Sequence, residues 1–459
     1  MSDPCPESAA FVPGPSDGPW YRTMMPFEHF DSIRSQQFPH SCDVAQLTGT
    51  ARAKVAVRLA PGHYPNPYNI VTRERGELFI YGGYVGDKPE SDDDNEEAGS
   101  YVARLDADTL EERWRVHFKV PFEHYFDWPG VLGVHGNGFL YVVTGAKLAK
   151  IDPATGAHRT IDLPEHPGGF GAAYNGFVIS RSGDIIAKSL ERGRPLVNSL
   201  PGLYAVKDSG IPAFLVSVDA DTLEIKAVVE TPEPVLGRVM VDGQAPDEFV
   251  YLPGLTHVWR YRLGPDSLTL DPSWNPQYVF PGEQPGPACG MLNGWVVVQT
   301  NFLEAKKPLR ISAFHSGNAA LNHHHVPFPH GAPSEEYSKP ALDAAHNRIY
   351  TSDEKVGLVT ALDFKADVGF VPVWQQPQTM DSFWAVVGPR QRRNIIGTDY
   401  LDCQDYVVWR DADTGVELAR SGPLDARLNG NIVAIGFDGR FYYLGVNDGT
   451  VNELTLKPA

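Results

Sequence analysis

Cysteine is scarce in this chain. Cys5, Cys42, Cys289 and Cys403 are the only four in 459 residues. They are widely separated and form no CxxC pair, so neither a zinc cluster nor a disulfide framework is expected. No run approaches the ~18 consecutive apolar residues of a membrane helix. Met1 to Trp20 has no basic stretch and no apolar core, the first basic residue being Arg22. A secretory leader is therefore not expected, and the cytoplasm is the expected compartment. Positive charge is also in short supply: 39 Lys and Arg stand against 57 Asp and Glu, a formal net charge of −18. That balance repels phosphate backbones and anionic lipid, which argues against nucleic-acid and membrane partners. HExxH and P-loop signatures do not occur.

What is present is a repeated phrase. Leu105-Asp106-Ala107-Asp108-Thr109-Leu110-Glu111 returns in altered spelling at Ile151-Asp152-Pro153-Ala154-Thr155-Gly156, Val218-Asp219-Ala220-Asp221-Thr222-Leu223-Glu224 and Arg410-Asp411-Ala412-Asp413-Thr414-Gly415-Val416-Glu417. A unit recurring at intervals of roughly 40–65 residues is the mark of a repeat architecture. Each copy reads as a tight hairpin. An apolar strand ends at Asp, whose carboxylate can accept backbone N–H groups two residues on. Gly, or a residue tolerating a left-handed conformation, then closes the turn. With 44 Gly, 39 Pro and 11% aromatics, the remainder suits many short strands joined by turns.

The expected fold is all-β: a single closed β-propeller, with eight blades as the count and seven as the next. Strand pairs such as Tyr68–Val71 with Leu78–Tyr81, Val131–Val134 with Phe139–Val143, and Ile432–Ala434 with Phe441–Leu444 mark successive units. The last unit reaches the C-terminus after three strands. Ala53–Leu59 alternates apolar with polar and can supply the fourth, closing the ring and protecting sheet edges. Residues 1–50 read as an irregular arm laid over one face, and 51–459 as the propeller domain.

The hairpin phrase, followed by a strand carrying Trp114, Trp374 or a smaller residue, resembles the quinoprotein-type (PQQ-like) repeats of eight-bladed propellers. The resemblance implies the fold. In the alcohol dehydrogenases of that superfamily it also implies pyrroloquinoline quinone, calcium or a lanthanide, and a vicinal disulfide. This chain has no adjacent cysteines, and Thr160 and Leu418 or Ala419 stand where the repeat carries Trp, so PQQ is not the expected cofactor.

In a propeller, inner strands start and second strands end on one face, and loops there surround an axial mouth. The two longest insertions, Gly82 to Ser100 and Ser189 to Ala213, fall on that face. Second strands end in Lys188, Asn301, Asp353, Asp399 and Asn447; inner strands open with Asn69, Asp127, Arg238, Lys339, Trp384 and Asn429. Lys188 and Arg238 are candidates for anion or oxyanion stabilisation, and Asp353 or Asp399 for general base. Asn69, Asp127, Asn301, Trp384 and Asn447 are candidates for substrate binding. Amide oxygens joined by a carboxylate would suit a divalent cation such as Ca²⁺, as in lactonase-type propellers by analogy of fold. His323, His324 and His325 fall on an outermost strand and read as a solvated edge. The acidic run Asp92 to Glu97 reads as a solvated loop tip, and Gly133 to Gly138 as a hairpin turn.

These features lead to an enzyme acting on a polar small molecule at the axial mouth, a hydrolase of lactonase or esterase type or a lyase. The alternative is a non-catalytic propeller whose rim binds another protein. The third reading is a metal- or quinone-dependent oxidoreductase.

Overall fold

A computed structural model describes residues 19–38, 53–83, 99–120, 124, 130–167, 171–193, 211–424 and 431–457. The insertions at 84–98 and 194–210, together with Asp127 and Asn429, lie outside the described residues. So does the acidic run Asp92 to Glu97.

Eight antiparallel sheets follow one another along the chain, spanning 67–118, 130–162, 172–230, 240–270, 289–325, 341–377, 385–420 and 434–457. No described helix is long and apolar enough to cross a membrane. The eighth sheet takes its outermost strand from the N-terminal side: Lys54–Leu59 pairs antiparallel with Thr450–Lys457, Val55 opposite Leu456. The ring is closed as the alternation in that strand implied.

Burial follows from the stacking of blades. Inner and second strands are covered on both faces by neighbouring sheets, so Pro67–Thr72 and Glu77–Gly83 are buried at every position and need not alternate. Outer strands such as Glu112–Phe118 are mostly exposed or half-buried.

The Asp hairpins form as their chemistry requires. Asp106 accepts the N–H groups of Asp108 at 2.9 Å and Thr109 at 3.0 Å. Asp411 does the same with Asp413 at 3.0 Å and Thr414 at 2.8 Å. The closing residue is left-handed in all four: Leu110 (φ 61°), Gly156 (φ 76°), Leu223 (φ 64°) and Gly415 (φ 71°). Where that residue is Gly, a tryptophan of the preceding blade lies on it. Trp114 packs on Gly156 and donates its indole N–H to Pro153 O at 3.3 Å. Trp374 packs on Gly415 and donates to Ala412 O at 3.0 Å. A Cβ on Gly415 would lie 2.6 Å from the Trp374 ring. The Gly therefore serves both the left-handed turn and the close approach of the indole.

Residues 19–38 are not an arm on the surface. They enter the ring and line its axis, with Met25, Phe27 and Arg34 fully buried. Every inner strand donates one N–H to this segment. Thr72 donates to Met25 O, Val134 to Pro26 O, Val241 to Ser32 O, Met291 to Ile33 O, Leu342 to Ser35 O and Val386 to Gln36 O, at 2.8–3.1 Å. Ile179 N donates to Ser32 Oγ at 3.3 Å and Ile435 N to Met25 Sδ at 3.3 Å. Gln37–Phe38 extends this contact by pairing in parallel with Val386 and Val387. An inner strand is an edge facing the axis, and its backbone groups must find partners. The segment supplies them, curling through left-handed Phe30, Arg34 and Gln36. Gly290 lets it pass: a Cβ there would stand 2.6 Å from Leu342 Cδ1 and 3.2 Å from Arg34 O.

Candidate functional site

The axial segment carries charge into the centre. Glu28 Oε1 accepts from Arg34 Nη1 at 2.9 Å, and Glu28 Oε2 pairs with Arg238 Nη1. Arg238 Nη2 donates to Tyr68 OH at 2.8 Å, and Arg34 Nε to Val239 O at 2.5 Å. Burial works against the charge of Arg238, yet Glu28 and Tyr68 raise its pKa above the ordinary value. Arg34 has a weaker balance, and burial with Arg238 beside it lowers it to about 10.

Two lysines complete the cluster. Lys188, with no exposed surface, directs Nζ at two carbonyls, Val235 O and Leu236 O, each at 3.3 Å. Burial, reinforced by Arg238 and Arg34, holds its pKa well below that of an ordinary lysine. Lys339 donates to Pro340 O at 2.9 Å, and burial with Arg34 nearby lowers it to about 7. Asp31 accepts both the N–H and the hydroxyl of Ser35, at 2.9 and 2.8 Å, and burial raises its pKa. Cys289, beside Arg34 and Lys339, is pushed up to about 12 by burial and is an inert thiol.

Several buried polar atoms here have no hydrogen-bond partner: both ring nitrogens of His29, Arg34 Nη2, Asn175 Oδ1, Gln36 Oε1 and Trp384 Nε1. His29 sits edge-on to Phe383, ring centroids 4.6 Å apart, and 3.4 Å from Glu28 Oε1. Burial and the surrounding cations hold it neutral, its pKa well below the usual value. Buried polar atoms left open in this way mark places that take water or a ligand.

The structure brings Lys188 and Arg238 together, as the strand register implied. The two expected bases do not join them. Asp353 staples a loop, accepting Ser334 Oγ at 2.5 Å and Val356 N at 3.2 Å. Asp399 accepts Thr379 N at 2.9 Å and pairs with Arg420 at 2.9 Å. Strand-end carboxylates find backbone donors in the adjoining loop before they reach the axis.

Most expected binding residues are likewise spent on architecture. Asn69 bridges the first two blades, exchanging hydrogen bonds of 3.0 Å with Leu132 O and Leu132 N. Asn301, left-handed at φ 71°, ties Gln284 N, Lys307 O and Ser334 Oγ into one loop. Asn447 is exposed in a hairpin turn. Trp384 is fully buried between blades, its carbonyl accepting from Gln36 Nε2 at 2.8 Å. Glu28, His29 and Arg34 were missed because they lie in a stretch with no strand pattern. The available signal was the density of Trp20, Met24, Met25, Phe27 and Phe30, which is high for an exposed arm. The histidine strand is an outer edge as expected: His323 bonds Ala366 O at 3.0 Å and His324 bonds Ser312 Oγ at 2.8 Å.

The ring, the Asp hairpins and the tryptophan docking define the fold of the quinoprotein-type eight-bladed propellers. Comparison with solved structures agrees. A quinohemoprotein alcohol dehydrogenase from Comamonas testosteroni aligns over 94% of this chain and 80% of its own, at 12% identity and a TM-score of 0.55. A europium-containing methanol dehydrogenase aligns over 94% and 98%, at 10% identity and a TM-score of 0.59. BamB from Moraxella catarrhalis aligns over 88% and 98%, at 12% identity and a TM-score of 0.52. At these identities the likeness is one of fold. No family model and no curated protein sequence matches the chain.

A quinone with its metal does not fit the axis. The centre holds one carboxylate against two guanidiniums in the Glu28–Arg34–Arg238 ion pairs. Guanidiniums repel a metal ion, and the described residues offer no group of three His, Cys, Asp or Glu side chains placed to hold one.

Proposed function

We propose that this propeller is an enzyme acting on a small carboxylate-bearing molecule at its axis, with Lys188 as the general base of a lyase-type proton abstraction. The observation that carries this reading is the placement of Lys188, fully buried near Arg34 and Arg238 with Nζ 3.3 Å from two carbonyl oxygens. A neutral amine has two N–H bonds and one lone pair. Both N–H bonds have acceptors in Val235 O and Leu236 O, which leaves the lone pair available. A buried lysine beside other cations is a recognised way to obtain such a base near neutral pH. Arg238 and Arg34 supply planar donors for a carboxylate, and a guanidinium held there would stabilise charge developing on the adjacent carbon. His29 and Asn175 offer unpartnered atoms to the rest of the molecule.

The test is a screen of small mono- and dicarboxylates by thermal shift, followed by turnover assays on those that bind. Lys188→Met should abolish turnover while retaining binding, and the wild-type pH profile should have an ascending limb that reports loss of the proton from the Lys188 amine. Binding that is lost in Arg238→Met but unchanged in Lys188→Met assigns the carboxylate clamp.

A second reading, a non-catalytic propeller, is favoured by one observation: Glu28 already occupies both guanidiniums with ion pairs. On that reading no carboxylate shifts the melting temperature, and Lys188→Met is as stable as wild type or more so, since an apolar side chain replaces a buried amine.

A further inference from the structure

The junction of the fifth and sixth blades has the opposite character from the axis. Segment 334–340 leads into the sixth blade's inner strand and is anchored by Glu336 N donating to Asn301 O at 2.8 Å. The Glu336 side chain is fully buried. Oε1 accepts Ser338 N at 2.9 Å, whereas Oε2 has no partner. The hydroxyls of Ser338 and Ser352 are fully buried and lie against this carboxyl, within reach of hydrogen bonding to it. Asp353 is the next residue along the strand and close enough to repel Glu336. Among the described residues neither carboxylate pairs with a lysine or arginine. Lys339, three residues on, answers instead to the charges of the axial cluster.

A carboxylate taken out of water needs a counter-charge or a proton. Here one carboxylate oxygen without a strict hydrogen-bond partner and two buried hydroxyls lie together with no cation of the described residues beside them, and a second carboxylate adjoins. We propose that this junction between blades five and six is a binding site for a hard divalent cation, Ca²⁺, held by Glu336 Oε2, Ser338 Oγ and Ser352 Oγ and balanced electrostatically by Asp353. Oxygen donors of this kind select calcium over softer metals. Magnesium, which demands a tighter octahedron and keeps its water, fits a buried site less well. The ion would clamp the entry loop of the sixth blade to its second strand, a role separate from proton abstraction at the axis.

The full-length protein, stripped with EDTA and returned to about 0.15 M NaCl to screen surface acids, is titrated with CaCl₂ by calorimetry and thermal shift. The expected result is one saturable site with a dissociation constant on the order of 10⁻⁴ M, the range of sites with few charged ligands. Glu336→Gln should abolish it, and Ser352→Ala should weaken it about tenfold, in keeping with one lost ligand (~1.4 kcal/mol). The Ser352 variant retains the carboxylate and serves if Glu336→Gln does not fold. No calcium site in the wild type overturns the proposal and leaves a proton on Glu336. A calcium site unchanged in either variant overturns it also, because the ion then sits elsewhere.

Discussion

Replacing Glu28 by Gln tests whether residues 19–38 are an integral part of the propeller. Glu28 pairs with both axial guanidiniums, 2.9 Å from Arg34 and in contact with Arg238. All three side chains are at least nine-tenths buried. The change removes about one charge and almost no volume, so packing is preserved. Two guanidiniums in the interior would lose the carboxylate that pairs with both of them. Breaking a buried pair in this way costs roughly 3–5 kcal/mol, a large share of the ~5–15 kcal/mol that holds an ordinary domain together. The reading is urea denaturation by tryptophan fluorescence at constant m-value, which separates lost stability from a changed unfolded state. Limited proteolysis near residue 38 gives a local readout of whether the segment has left the axis. A control replaces Glu28, Arg34 and Arg238 together by Met; it should recover most of the loss, because apolar side chains need no counter-charge. If Glu28→Gln unfolds at the wild-type urea concentration and resists protease equally, the axial placement of this segment is wrong.

Lys339 makes stability depend on pH. Its folded pKa of about 7 lies below the unfolded value of about 10.4, so between those limits the unfolded chain holds the extra proton and stability rises with pH. Below about pH 7 both states are protonated and the full penalty of a buried ammonium applies. Wild type should therefore gain stability from pH 7 to 9 relative to Lys339→Met, with a slope approaching one proton, about 1.4 kcal/mol per pH unit. Parallel curves would contradict the buried position of this amine. Trp374→Ala should cost about 2 kcal/mol, less than the ~3–5 kcal/mol of a fully buried tryptophan, because its ring is half-exposed on Gly415 and donates one hydrogen bond to Ala412 O. Equal stability of Trp374→Ala and wild type in chemical denaturation would show that this docking contact does not join the blades.

The architecture was legible in the linear order of residues because it rests on local rules. An Asp two residues before a backbone N–H makes the same turn wherever it occurs, so four copies announced the repeat. Alternation in Lys54–Leu59 showed a strand in need of a sheet, and the short final unit showed a sheet in need of a strand. Lys188 and Arg238 were legible for a related reason: strand register placed them at the same level of neighbouring blades. The function of the carboxylates was not legible. Asp353 and Asp399 stand at strand ends like catalytic acids, and only the path of the adjoining loops decided that backbone and Arg420 would take them. Least visible was the axial segment. Its partners are eight edge N–H groups spread from Thr72 to Ile435, which no periodicity within residues 19–38 encodes. The ring must close before those groups exist as a surface, so the charge at its centre is a property of the assembled tertiary structure and not of any stretch of sequence.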